Sequence, residues 1–111
     1  MKLSEIYQED DSIFASDGKK YDLNLLFKLA NDKQPENFKI SDLDWVLKYD
    51  TPRQERVSKA NTSIPILVTK RKNDLLVIDG LHRLAKAKAN GKKTISGKMI
   101  SQSEFEKAEI A

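Results

Sequence analysis

The sequence predicts an α+β fold, a small mixed β-sheet with packed helices. Short apolar runs typical of strands, at residues 64–69 and 75–78, alternate with segments of helix-forming composition such as residues 81–89. The chain has 111 residues, 39% of them hydrophobic and 33% charged. This length supports one modest core, and the apolar content is too high for a disordered chain.

Residues 1–35 are expected to form an acidic N-terminal helical extension. Within it, residues 21–31 predict a helix capped by Asp22, and residues 16–19, Ser-Asp-Gly-Lys, are typical of a turn. The apolar positions available to a short helix or arm before the helix are Leu3, Ile6, Ile13 and Phe14. Two roles stay open for the extension, a helix packed on the main domain and a partner-binding segment.

Residues 36–111 are expected to form the main domain. Its predicted elements are a strand at 38–40, a helical turn at 43–47, a helix at 54–60, strands at 64–69 and 75–78 joined by a hairpin loop, a helix at 81–89, a strand at 94–100 and a C-terminal helix opened by a capping box at 103–106. The residues expected to be buried together are Ile66, Val68, Leu76, Ile78, Leu84 and Ala85, with Trp45 beside them.

The most informative segment is the strand, turn and helix at residues 75–89. Asp79 and Gly80 end the strand, and His82, the one histidine, and Arg83 follow in the first helical turn. A helix N-terminus has unpaired N–H groups and attracts anions, and an arginine can bind two phosphate oxygens. The segment therefore predicts a phosphate site at Gly80, Leu81, His82 and Arg83. The alternative is an ordinary strand–turn–helix with exposed first-turn residues.

Residues 78–87, Ile-Asp-Gly-Leu-His-Arg-Leu-Ala-Lys-Ala, resemble the signature of the ParB/sulfiredoxin-like superfamily. Its members carry a Gly-x-x-Arg or Gly-x-His-Arg box between a strand and an Ala-rich helix. Residues 63–68 also resemble the family's Pro-Ile-x-Val strand, and residues 38–43 its opening strand. The resemblance covers residues 36–102 and implies the superfamily's fold. The chain looks most like the small single-domain ParB-like proteins of bacterial viruses and mobile elements.

The resemblance implies a nucleotide-phosphate-binding domain, with ATP, ADP or CTP as the nucleotide and Mg²⁺ as a possible cofactor. If the domain is an enzyme, the resemblance implies an ATPase or small kinase. In the free-serine kinases that this domain resembles, a glutamate after the first strand acts as base, and Glu55 lies in the comparable stretch, with Asp44 and Asp50 as rivals. Asp79 is the second catalytic candidate, and its alternative role is to cap the turn or the helix that follows the box. No set of metal ligands is assigned.

Several activities of the superfamily are not expected here. The chain has no cysteine, and Leu81 stands where the sulfiredoxins carry theirs, so reduction of a sulfinic acid is excluded. The Gly-Glu-Arg-Arg form of the ParB box is absent, and about ten residues follow the last predicted strand, which leaves no room for a helix-turn-helix domain. Chromosome partitioning by this chain alone is therefore not expected.

Positive charge is concentrated around the box. Residues 50–100 hold 12 Lys and Arg against 4 Asp and Glu, whereas residues 1–49 hold 7 against 10. A basic surface attracts nucleic acid or an acidic protein. The alternative function is therefore a non-catalytic module that binds nucleic acid or a host protein through a face containing Arg71, Lys86 and Lys92.

No apolar run approaches the roughly 18 residues of a membrane span, and the N-terminus does not read as a signal peptide. A cytoplasmic location without membrane contact is expected. The oligomeric state stays open.

Overall fold

The computed structural model describes residues 12–71 and 73–110. These residues form two small sheets and five α-helices. The strands are β1 (Ile13–Ser16), β2 (Lys19–Asp22), β3 (Glu36–Lys39), β4 (Ile66–Lys70), β5 (Leu75–Asp79), β6 (Thr94–Ile100) and β7 (Glu109–Ile110). The helices are α1 (Leu23–Ala30), α2 (Ile40–Leu43), α3 (Gln54–Lys59), α4 (Leu81–Ala89) and α5 (Gln102–Lys107), with a 3₁₀ helix at Asp44–Lys48.

The main sheet has four strands in the order β3-β6-β4-β5. Strands β4 and β6 are parallel, with Val68 opposite Met99, and the other pairs are antiparallel. The predicted fold class, a mixed sheet with packed helices, is confirmed. Because β5 is an edge strand and α4 begins directly after it, the start of α4 lies at the border of the sheet.

A second sheet, with the order β1-β2-β7, was not predicted. Ile13 and Phe14 lie in β1, so their assignment to a short helix or arm was wrong, whereas Leu3 and Ile6 fall outside the described residues. The predicted turn is present, with positive φ at Asp17 and Gly18. The sheet was missed because β7 has only two residues, too few to show a pattern of alternation.

Three helix starts differ from the prediction, and one is that of α2, which begins at Ile40 inside the predicted strand at 38–40. Helix α1 begins at Leu23 because the two preceding residues pair in β2, yet Asp22 caps it as predicted, its carboxylate accepting from Leu25 N at 3.2 Å. The capping box of α5 uses Ser101 and Glu104, two residues earlier than predicted. Both Ser-x-x-Glu patterns exist in the sequence, and the earlier one is used because β6 ends at Ile100.

The core lies between the main sheet and its helices. The predicted core residues Ile66, Val68, Leu76, Ile78 and Leu84 are buried. Ala85 is only half-buried, so its assignment to the core was wrong; Ala87 is buried in its place, because residues three apart share a helix face and adjacent residues do not. Trp45 is half-buried beside this core.

Helix α1 packs into the same core. Leu26 and Ala30 are buried, and Lys98 Nζ donates to Ala30 O at 3.2 Å. The division of the chain at residue 35 stays a prediction. Within the described residues, none of the helices combines the length and the apolarity that crossing a membrane requires.

Leu76→Ala is expected to lower the free energy of unfolding by about 2–4 kcal/mol, because Leu76 is 7% exposed and its truncation leaves a cavity. Ile110→Ala, at a position that is 44% exposed, is the control and should change stability by less than about 1 kcal/mol. Urea unfolding followed by circular dichroism measures both. Equal midpoints for Leu76→Ala and the parent would contradict this core.

Candidate functional site

The turn between β5 and α4 is built on Gly80. Its backbone has φ 114° and ψ 23°, a left-handed conformation, and its carbonyl accepts from Leu84 N at 2.9 Å in the first helical bond. A Cβ at this position would lie 2.8 Å from Ile66 Cβ, closer than real Cβ atoms approach. Glycine is therefore required by the packing of the turn on β4, a reason that the sequence alone did not reveal.

The N-terminus of α4 opens into a cleft. None of the described side chains caps this helix, so the N–H groups of Leu81, His82 and Arg83 are not satisfied by a capping side chain. The cleft has a volume of about 1110 Å³, and Asp79, Gly80 and these three residues all line it. The structure thus brings the four residues predicted for the phosphate site to one cavity.

Arg83 is already engaged by protein groups. Its Nη2 lies 2.7 Å from Asp79 Oδ2, and its Nη1 donates to Pro65 O at 2.8 Å and to Ile64 O at 3.2 Å. The side chain is 16% exposed. Arg83 therefore fastens the segment before β4 to the start of α4, and its contact with a phosphate stays a prediction.

Asp79 shares that ion pair, so its carboxylate is partly neutralised where it lines the cleft. Its predicted alternative role, capping of the box helix, is not observed, since none of the side chains in the described part of the chain accepts from the first turn of α4. The i,i+4 pairing with Arg83 instead stiffens the turn. A catalytic role for Asp79 stays a prediction.

His82 lies in a positive environment. Partial burial lowers the pKa of His82, the charges of Arg56 and Arg53 lower it further, and Asp50 opposes them. These effects favour the neutral imidazole in the free protein. An anion beside the ring would favour the protonated form.

The neighbouring cations come from α3. Arg56 and Lys59 line the same cleft as the start of α4. Lys86 Nζ donates to Ser58 O and Ala60 O, both at 2.9 Å, and so attaches α4 to the C-terminal end of α3. This contact places the cations of α3 beside the first turn of α4.

The predicted carboxylates do not all reach the cleft. Glu55 is exposed in the first turn of α3 and does not line the cavity, whereas Asp50 and Asp79 do. Asp44, the other rival, is paired with Lys88 at 3.2 Å. Among residues 12–71 and 73–110, no group of three or more potential ligands could hold a metal ion by protein side chains alone.

Aromatic side chains also line the cleft, and the sequence analysis missed two of them, Phe14 and Tyr49. Phe14, Trp45 and Tyr49 line it, and Arg71 joins them with its guanidinium carbon 5.2 Å from the centre of the Trp45 ring. Phe14 was missed because the second sheet was not predicted. Tyr49 stands in a polar loop whose pattern carries no structural signal.

The basic face predicted for the alternative function is interrupted. Lys86 is bound to the end of α3, and Arg71 pairs with Asp74 and with Asp17, the latter at 2.8 Å. Lys92 is exposed. Two of the three cations predicted for this face, Lys86 and Arg71, are thus held by their neighbours rather than arranged as one open surface.

Gly80→Ala is expected to destabilise the protein by about 1–3 kcal/mol more than Gly91→Ala, because overpacking against Ile66 adds to the strain of a positive φ. Gly91 is the matched control, since it has φ 76° but nothing within 4 Å of an added Cβ. Thermal and urea unfolding of both variants measure the difference. Equal losses would mean that the contact with Ile66 does not constrain the turn.

The fold of this chain was compared with those of solved structures. Sulfiredoxin from Arabidopsis thaliana superposes with a TM-score of 0.52 at 14% identity, over 68% of this chain and 96% of sulfiredoxin. C-terminally truncated SbnI from Staphylococcus aureus gives a TM-score of 0.49 at 29% identity, over 62% of this chain and 31% of SbnI, so this chain spans about a third of that protein. No family model and no curated protein matches the chain. The resemblance seen in the box is confirmed at the level of the fold, and the chain has the ParB/sulfiredoxin-like fold.

Proposed function

We propose that the cleft binds a nucleotide through its phosphates at the first turn of α4. The observation that carries this proposal is the uncapped start of α4, which opens into a cleft that Arg56 and Lys59 also line. Backbone N–H groups and exposed cations in one cleft are the combination that binds phosphate groups.

Each residue has a separate task in this proposal. The N–H groups of residues 81–83 donate to phosphate oxygens, Arg56 donates through its planar guanidinium, and Lys59 adds a point charge. His82, whose pKa is lowered in the free protein, takes up a proton beside the phosphate and donates to it as a cation. Arg83 contributes as a positioning residue, since its bonds to Asp79 and Pro65 hold the start of α4 in place.

Phosphoryl transfer is the enzymatic form of the proposal. Mg²⁺ in nucleotide sites is usually held by one or two carboxylates together with phosphate oxygens, and Asp50 and Asp79 are the carboxylates that line the cleft. The ion would neutralise charge on the transferred group when bound. Glu55, predicted as the base, lies outside this lining, and Asp50 takes its place in the proposal.

Arg56→Ala is expected to weaken the binding of ADP and of pyrophosphate by about tenfold, the loss typical of one charged hydrogen bond. Isothermal titration calorimetry with ATP, ADP, CTP and pyrophosphate, each with and without Mg²⁺, measures the affinities. Lys92→Ala removes an exposed cation outside the cleft and is the matched control. The phosphate site is wrong if the parent binds none of these ligands, or if Arg56→Ala binds them as tightly as the parent.

Binding should also be linked to pH through His82. The pKa of His82 is lowered in the free protein, and a neighbouring phosphate raises it, so binding takes up a proton. Affinity therefore increases as the pH falls through the range between the pKa of the complex and the lower pKa of the free protein. The chain has one histidine, so its NMR signals report the pKa without ambiguity. A pKa that does not rise on saturation with pyrophosphate would contradict the assignment of His82.

If the domain turns over nucleoside triphosphates, Asp50→Asn and Asp79→Asn should each slow the Mg²⁺-dependent reaction by about 100-fold or more, because removal of a metal-binding or proton-accepting group acts on the rate. Glu55→Gln, exposed and outside the cleft lining, should retain the parent rate. Phosphate release measures all three variants. If the parent protein shows no turnover, the enzymatic form of the proposal is wrong, and the function that remains is nucleotide binding without catalysis.

A further inference from the structure

A second cavity shares Asp17 and Arg71 with the cleft but none of the other residues of its wall. Its volume is about 480 Å³, which lies in the range of small-molecule sites. The β1–β2 hairpin, the end of β4 with the loop that follows it, and α5 meet around this cavity. Since none of the residues proposed to bind phosphate lines it, a ligand here would be separate from the nucleotide.

Tyr21 is a buried polar residue in the wall of this second cavity. It is 7% exposed, and its ring stacks on that of Phe105 with the centroids 4.0 Å apart and the planes at 19°. The Tyr21 hydroxyl forms no hydrogen bond with any residue in the ranges 12–71 and 73–110. A buried hydroxyl without a partner is destabilising, so such groups usually bond to water or a ligand. The cavity that Tyr21 lines is the place from which a ligand can supply that bond.

Part of the charge around the second cavity is already compensated. Arg71 donates to both carboxylate oxygens of Asp74 at 3.1 Å and to Asp17 at 2.8 Å. These three side chains connect the hairpin to the loop after β4 and so hold two parts of the wall together. A ligand therefore has to be recognised by the other charged groups of the wall.

Those other groups are two lysines and one carboxylate. Lys70 is exposed and forms neither an ion pair nor a side-chain hydrogen bond with a described residue. Lys19 Nζ lies 3.7 Å from Glu109 Oε1, which is longer than a hydrogen bond. Glu106 accepts from Gln102 Nε2 at 3.2 Å through Oε2, which leaves Oε1 for another donor. The wall thus offers two cations and one carboxylate oxygen.

We infer that the second cavity binds a free acidic amino acid. Lys19 and Lys70 match its two carboxylates, and Glu106 matches its ammonium group. Two lysines against one glutamate leave one positive charge, which the single net negative charge of such an amino acid neutralises. The Tyr21 hydroxyl donates to a carboxylate oxygen, and the rings of Tyr21 and Phe105 provide an apolar surface for the methylene groups.

The ligand class is tested by calorimetric titration of the full chain with L-glutamate and two analogues. Glutarate lacks the ammonium group and γ-aminobutyrate lacks one carboxylate, so each is expected to bind about tenfold more weakly, the loss typical of one charged hydrogen bond. Equal affinity for glutarate and L-glutamate would mean that Glu106 receives no ammonium group and would overturn the assignment. A parent protein that binds neither L-glutamate nor L-aspartate would also overturn it.

The location of the site is tested by Lys70→Ala, which should weaken L-glutamate binding by about tenfold. Lys92→Ala removes an exposed cation outside both cavities and is the matched control. Both variants should bind pyrophosphate like the parent, so this site and the phosphate site can fail separately. Unchanged L-glutamate affinity in Lys70→Ala would place the ligand elsewhere and overturn the proposal.

Tyr21→Phe removes the hydroxyl and keeps the ring stacked on Phe105. This variant should bind L-glutamate about fivefold more weakly, the loss typical of one neutral hydrogen bond. Its unfolding midpoint without ligand should be no lower than that of the parent, because the hydroxyl bonds to none of the described residues. A clearly lower midpoint would show that the hydroxyl is bonded within the protein, and would overturn its role in the site.

Discussion

The contact between the backbone of Gly80 and the side chain of Ile66 is the constraint on which the site depends. Since no Cβ fits there, the turn lies directly on β4 and the first residue of α4 is placed at the edge of the main sheet. Arg83 then holds the segment before β4 by its bonds to Pro65 and Asp79. A helix start that is fixed by packing can leave its N–H groups unused by the fold, which is the state that an anion-binding site requires.

The rest of the cleft is assembled around that helix start. Lys86 attaches α3 to α4 and so brings Arg56 and Lys59 to the cleft. The β1–β2 hairpin contributes residues 14–17 to the cleft lining, and the pair of Asp17 with Arg71 connects it to the end of β4. The ion pairs at the cleft thus stabilise the fold. The cations that remain available to bind a ligand are those on α3. This division explains why charge composition alone did not show which cations are open to a ligand.

The local pattern of apolar and turn residues predicted the strands of the main sheet and the strand–turn–helix that carries the box. The strand, turn and helix at Asp79 to Arg83 were found because apolar alternation, a glycine and a helix-forming run occur within a few residues of one another. The second sheet was missed, because β7 is too short to show a pattern and is specified by distant packing of Tyr21 on Phe105, whose rings stack 4.0 Å apart. Tyr49 was missed for a related reason, since only the tertiary fold turns a polar loop into a cavity wall.

The central claim is that phosphate groups bind to the first turn of α4. The most direct test is a titration of ¹⁵N-labelled protein with pyrophosphate, in which the backbone amide signals are followed one by one. The account predicts that the largest shifts, all saturating with one affinity, belong to Leu81, His82 and Arg83, because their N–H groups would bond to the anion. Largest shifts on exposed lysine segments such as residues 92–93, with those of α4 unchanged, would contradict it.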